Sequence, residues 1–368
     1  MKNTLNGVKV KIVALGKTGS NVINKMILNN IVKADFIAVD TEKVNLDSSK
    51  ASKKIFVSSI TSFEAMEDLR KQTEKEFQNA DMVFIIAEMG EKTGTLLSSA
   101  VAEIAKSMNI LTVAIVSKPF DFEDLNKIKL AKKGKERLKH FADTIIVIPY
   151  QRLNDLYINL PMVNIYEKGE KAFVTIVKGI LDLIKKQGIV NLDFADIKSI
   201  MQNSGIAMLG FGEANGDEKA KSATAQALNS PLLEKSIEGA RKILINVTAG
   251  PDIGLQEIQE VAETIAEKAG NDKANLIWGY IMEPELEGTI SVSLVATDFQ
   301  EELLARSENI DSRAIRFAPP KKEEVEVEKK TEEKKEVKHQ IEEEDHDTEE
   351  RSDESSISDF VLPPFFEE

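Results

Sequence analysis

The segment Val190-Asn-Leu-Asp-Phe-Ala-Asp-Ile-Lys-Ser-Ile-Met-Gln-Asn-Ser-Gly-Ile-Ala-Met-Leu-Gly210 opens with two carboxylates, Asp193 and Asp196, three residues apart. A helical pattern follows over residues 194–203, then a strand pattern over Ile206–Phe211. At a helix start that spacing puts both carboxylates on one face. They then serve in one of two ways: as caps that oppose the helix dipole, or as a pair that polarises a water for attack on a phosphate.

Upstream, β-branched runs alternate with helical patterns over residues 8–150. The strands expected are Val8–Leu15, Phe36–Asp40, Ile55–Ser58, Met82–Ala87, Leu111–Ser117 and Thr144–Pro149. They are apolar on both faces, as buried parallel strands are. The alternation predicts a doubly wound α/β sheet, which binds ligands at the carboxyl ends of its strands. A long helix is expected over about Lys171–Gln187, where Ala172, Phe173, Ile176, Val177, Ile180 and Ile184 recur at helical spacing and Gly188 stops it. Downstream, helical patterns at 217–228 and 255–269 join strands at Lys242–Thr248, Ala274–Met282 and Thr289–Thr297, giving a second, α+β unit over 191–300.

Composition narrows the function. The 368 residues include no Cys and only three His, two of them in a charged tail, so thiol chemistry and His-rich metal sites are excluded. Lys9 and Lys11 interrupt the first apolar run, and no uncharged stretch is long enough to span a bilayer, so a cytosolic protein without direct membrane insertion is expected. The net charge of −14 is uneven, because residues 321–359 hold 8 basic and 17 acidic side chains. No basic stripe marks a nucleic-acid partner. Residues 319–355 carry too little apolar surface to offset backbone entropy and read as a disordered linker, with a helix laced by charge pairs as the alternative. The apolar island Ile357–Phe366 reads as a docking peptide that folds on its partner, or else as a frayed end.

Two further segments lie between a strand and a helix. In Ala14-Leu-Gly-Lys-Thr-Gly-Ser-Asn21, Gly16 and Gly19 permit a tight turn whose backbone N–H groups could face a phosphate. The spacing fails both common phosphate-loop patterns, and a plain strand-to-helix turn fits as well. In Met89-Gly-Glu-Lys-Thr-Gly-Thr-Leu96, Gly90, Thr93, Gly94 and Thr95 could cradle a phosphate, or one threonine could simply cap the helix.

Residues 190–210 resemble the synergy loop of FtsZ together with the helix and strand after it. Ser230-Pro-Leu-Leu-Glu234, Gly239-Ala-Arg-Lys-Ile-Leu-Ile-Asn-Val-Thr-Ala-Gly250, Val116-Ser-Lys-Pro-Phe120 and Ile146-Val-Ile-Pro149 extend the resemblance to about residues 8–300. It implies the tubulin/FtsZ fold: a Rossmann-like GTP-binding-type domain over 1–170, a central helix over 171–190 and an α+β domain over 191–305. A disordered charged linker over 306–356 and an apolar docking peptide over 357–368 complete the layout. It also implies a cytoskeletal GTPase of bacterial cell division, cytoplasmic and at the division site, that assembles head to tail with itself or with a standard FtsZ. The cofactor implied is GTP, with Mg2+ only alongside the nucleotide. Gly16, Lys17, Thr18, Gly19 and Asn21, then Gly90, Thr93, Gly94 and Thr95, would hold the nucleotide, with Glu123 and Lys127 on its phosphate side. The hydrolytic acids, offered to the next subunit's nucleotide, would be Asp193 and Asp196, positioned by Asn191.

The nucleotide half departs from the family pattern. The signature G-G-G-T-G-T-G reads Gly90-Glu-Lys-Thr-Gly-Thr-Leu96, so Glu91 brings negative charge to the phosphate side. The first glycine cluster has gained Lys17, Thr18 and Ser20, and no Gly-rich loop lies between Ser58 and Glu64. Lys171 aligns with the guanine-reading Asp, and Tyr150 stands where an Asn is expected. One reading is a chain with weak or lost GTP binding that keeps its acid loop. The other is an active GTPase in which Lys17 and Lys92 replace lost backbone contacts. The tail peptide would dock on a membrane-tether division protein through Phe360, Leu362, Phe365 and Phe366, although Glu367 and Glu368 replace the family's usual basic end. Deleting residues 357–368 is expected to abolish tether binding and leave assembly unchanged; undiminished recruitment of the truncated chain to tether-coated vesicles would refute this.

Overall fold

The computed structural model describes residues 7–30, 34–156, 160–185, 190, 192–230, 232–233, 235–270 and 274–299. The linker, the tail peptide, Asn191 and the Gly188 stop lie outside these. The first half alternates as expected: β1 (Val10–Leu15), α1 (Gly16–Leu28), β2 (Asp35–Asp40), α2 (Lys43–Ser48), β3 (Lys53–Phe56), α3 (Phe63–Phe77), β4 (Met82–Glu88), α4 (Lys92–Ser107), β5 (Leu111–Lys118), α5 (Leu125–Leu138) and β6 (Thr144–Pro149). The second half runs α6 (Tyr150–Leu156), α7 (Met162–Lys185), α8 (Phe194–Met201), β7 (Gly205–Asn215), α9 (Lys219–Leu228), β8 (Lys242–Ala249), α10 (Leu255–Ala269), β9 (Asn275–Met282) and β10 (Thr289–Thr297).

The strands form one sheet in the order β3-β2-β1-β4-β5-β6-β7-β10-β8-β9. Strands β1 to β6 are all parallel, and β1 and β4 sit side by side where the strand order reverses. Strand β7 joins the halves. Its first residues pair parallel with β6 (Thr144↔Gly205, Ile146↔Ala207), and the rest pairs antiparallel with β10, from Met208↔Ala296 to Asn215↔Thr289. One apolar cluster packs α3, α4, α5, α9 and α10 on one face of the sheet, and a second packs α1, α7 and α8 on the other.

Helix α7 starts at Met162, nine residues before the sequence expectation. The Pro161 carbonyl accepts the first helical bonds, from the amides of Asn164 (2.9 Å) and Ile165 (3.3 Å). Over residues 162–170 only Ile165 and Gly169 are buried, so the apolar period that reveals the later turns is missing.

Helix α9 lies against β7 at backbone distance. A Cβ at Gly212 would stand 2.0 Å from the carbonyl oxygen of Ala223, and no side-chain rotation relieves a backbone clash. Gly212→Ala must lift the helix and is expected to cost about 3 kcal/mol. The urea midpoint would fall with an unchanged slope; an unchanged midpoint would refute the packing.

Candidate functional site

A cavity of about 330 Å³ opens at the carboxyl ends of β1, β2 and β4. It sits where the strand order reverses, the usual ligand crevice of a doubly wound sheet. Leu15 and Gly16 line it from the end of β1, and Thr93 and Gly94 from the start of α4. Neither α1 nor α4 has a side-chain N-cap. By contrast α3, α5 and α8 are capped by Ser62, Asp124 and Asp193. Two uncapped helix starts leave backbone N–H groups and partial positive charge at one hollow, an arrangement that suits an anion. Gly94 is required there, because a Cβ would meet the Glu88 carbonyl oxygen at 2.5 Å.

The side chains oppose that backbone field. Asp40, Glu42, Glu88 and Glu91 line the cavity against a single amine, Lys17. Glu88 is only 9% exposed; one carboxylate oxygen accepts from the Thr18 hydroxyl and the other pairs with Lys127 Nζ at 3.3 Å. Lys127 also reaches Glu91 (3.0 Å) and Glu123 (2.7 Å), so one ammonium serves three carboxylates. Burial alone lowers its pKa, but hydrogen bonds to Glu123 and Glu91 and the charge of Glu88 outweigh that and hold it well above the usual lysine range. Asp40 is turned inward and accepts from the Glu42 amide (3.0 Å) and the Asn45 amide group (2.9 Å). Lys17 and Lys92 are exposed, with no ion-pair partner among the described residues.

The residues singled out from the sequence separate into groups. Gly16, Lys17, Thr18, Thr93 and Gly94 line the cavity. Gly19 is buried in α1 against β4, with the Ile86 carbonyl oxygen 2.8 Å from where its Cβ would be. Thr95 is buried and accepts from the Gly90 amide at 2.9 Å, while Thr93 bonds Thr41 at 2.8 Å, so neither threonine caps α4. Asn21 lies outside that cavity, in a hollow of about 470 Å³ shared with Lys25, Tyr166 and Glu170. It donates to Glu170 Oε1 at 3.2 Å, and Lys25 pairs with the same carboxylate.

Lys171 is exposed and lines a different hollow, along α7 toward β8 and β10. Glu170, one residue back along the helix, is the residue beside Asn21. Tyr150 is 1% exposed and packs with Phe120 and Tyr166, ring centroids 5.6 and 5.4 Å away. Its hydroxyl and that of Ser117 interact weakly, short of hydrogen-bond geometry, and both stay buried and unsatisfied. Burial, then the charge of Glu88, pushes the Tyr150 phenol far above its ordinary pKa. A Cβ at Gly169 would lie 2.3 Å from the Tyr150 ring. Sequence reasoning missed Glu88, Asp40 and Glu170. Glu88 was findable as a lone charge ending a buried apolar strand.

Asp193 and Asp196 form a capping box at the start of α8. Asp193 Oδ1 accepts from the Asp196 amide at 2.9 Å, and Asp196 Oδ2 from the Asp193 amide at 3.0 Å. The capping role is thus realised, and each carboxylate keeps one oxygen free of the box. The other end of α8 meets the amino-terminal edge of β6, where the Thr144 hydroxyl donates to the Met201 carbonyl. The cavity opens at the carboxyl edge of β1, β2 and β4. No group of three or more His, Cys, Asp or Glu among the described residues is arranged to hold a metal, and no described helix is long and apolar enough to cross a membrane.

Strand order, switch-point cleft and second α+β half define a tubulin-type GTPase-domain protein. Residues 9–157 match the GTPase domain of the Tubulin/FtsZ family, and residues 205–300 match the C-terminal domain of the FtsZ family. The chain belongs to the FtsZ family. It is 36% identical to Cell division protein FtsZ 1 of Methanocaldococcus jannaschii over 307 residues, covering 80% of this chain and 84% of that one. Among solved structures, an empty FtsZ dimer from M. jannaschii superposes with a TM-score of 0.71 at 36% identity, over 79% of this chain and 88% of the other. A GTPγS-bound CetZ2 protofilament from Haloferax volcanii shares the fold at 14% identity and a TM-score of 0.64, over 83% and 99%.

Asp193→Ala is expected to lose about 1 kcal/mol of stability, whereas Asp193→Asn keeps the cap and stays within a few tenths of the parent. Equal urea midpoints for the two variants would contradict the box.

Proposed function

We propose that this chain is an FtsZ-type cytoskeletal protein of cell division, assembling head to tail with itself or a standard FtsZ, whose own nucleotide binding is weakened. The observation that carries this is the cleft: two uncapped helix starts shape it for an anion, and four carboxylates line it. The nucleoside end fits its ligand, with Tyr166, Asn21 and Glu170 around one hollow. The phosphate end does not fit as arranged, so no hydrolytic step is derived through this chain's own cleft. Mg2+ would enter only with a nucleotide.

The acid pair serves a neighbour in this reading. Asp193 is exposed and Asp196 half-buried, each with an oxygen outside the capping box. Stacked on a standard FtsZ, they would face that subunit's bound GTP, with Asn191 as their positioning residue. The tail peptide would supply the membrane-tether contact. The second reading, an active GTPase with an unusual pocket, is favoured by Lys17 and Lys92, two exposed amines beside the α1 and α4 starts with no ion-pair partner among the described residues.

Calorimetry is expected to give GTP binding at least ~100-fold weaker than for M. jannaschii FtsZ 1, or about 2.7 kcal/mol. Equal affinities would refute the first reading in favour of the second. In mixed filaments Asp196→Ala should slow hydrolysis without unfolding the chain; equal turnover for parent and variant would refute the role of the acids.

A further inference from the structure

Glu88 is a buried carboxylate with both oxygens engaged. It ends β4 inside the cleft, 9% exposed, between the uncapped starts of α1 and α4. Its two oxygens take a hydroxyl donor, Thr18, and an ammonium donor, Lys127. A hydroxyl, an ammonium and two helix dipoles are the groups that would receive a phosphate oxygen. Main-chain retreat is blocked, because the Glu88 carbonyl is packed on Gly94 with no room for even a methyl group. Glu91 and Glu123 take the remaining positions on Lys127, leaving that lysine no uncommitted charge to offer.

We propose that Glu88 is a built-in competitor for the phosphate position: its carboxylate takes the donors a nucleotide phosphate would use, so those donors are engaged from within the chain without ligand. This rests on the reading of the cleft as a phosphate cradle. A buried carboxylate is tolerated only when its oxygens are satisfied, and Glu88 meets that condition with no nucleotide at all. An incoming phosphate must displace it against like-charge repulsion in a half-buried site. Glu91 is 60% exposed at its side chain and screened by solvent, so its effect is the smaller of the two.

The test is GTP binding, with and without Mg2+, to the full chain and to Glu88→Gly, Glu88→Gln and Glu91→Gly, each checked for folding by circular dichroism. Weak binding by the parent, a gain of at least ~30-fold for Glu88→Gly, a smaller gain for Glu88→Gln and the least for Glu91→Gly is the expected result. Glu88→Gln keeps the side-chain shape and removes the charge, so it decides the matter should the glycine variant not fold. A weakly binding parent whose folded Glu88 variants gain nothing overturns this inference and leaves the weak-binding reading standing. A tightly binding parent overturns both. Loss of Mg2+-dependent binding in Glu88→Gln would make Glu88 a ligand of the nucleotide's metal and likewise overturn the proposal.

Discussion

Strand β7 must satisfy two neighbours of opposite sense. Its first three residues follow β6 in parallel and its remainder runs against β10, so it belongs to both halves of the sheet. A strand with that double duty cannot slip, since a one-residue shift would turn buried residues outward on both sides at once. Helix α8 is fixed by the same junction. Its last carbonyls receive hydroxyls from both halves: Thr144 on Met201, and Thr297 on Ile200 at 3.0 Å. The capping box at its other end is thereby held in a set place relative to the entire sheet. The acid pair is therefore carried on a packed helix end rather than on a free loop.

The cleft is shaped by two opposed electrostatic sources. Backbone geometry aims two helix starts at one hollow, and that follows from the doubly wound topology whatever the side chains. The side chains then reverse the sign. Lys127 is the pivot: with its pKa raised by Glu123, Glu91 and Glu88, it stays charged and binds the α5 start to the β4–α4 turn. The hollow around Asn21 shows no such conflict, and Glu170 stands there beside Asn21 and Tyr166.

Much of this was legible in the sequence, for identifiable reasons. Strands β1, β2, β4, β5 and β6 are buried on both faces, so their apolar runs stand out, whereas the edge strand β3 exposes Lys53, Lys54 and Phe56 and buries only Ile55. Thr144–Pro149 and Thr289–Thr297 match at both ends. The first nine residues of α7 were hidden because they bury little. Glu170 was not legible because its place beside Asn21 depends on how α7 packs on α1, which no local spacing reveals. The threonines near α4 left a phosphate cradle and a helix cap both open, and the hydroxyl of Thr95 is spent on the Gly90 amide, a choice only the folded turn can make.

The contact between Tyr150 and Gly169 has an evolutionary consequence. With 2.3 Å between the ring and any Cβ placed at 169, the two positions are epistatic: glycine can be lost from 169 only in a lineage where residue 150 has already become smaller. The order of the two substitutions is set by sterics, and a descendant carrying alanine at 169 with tyrosine still at 150 should be rare among living sequences.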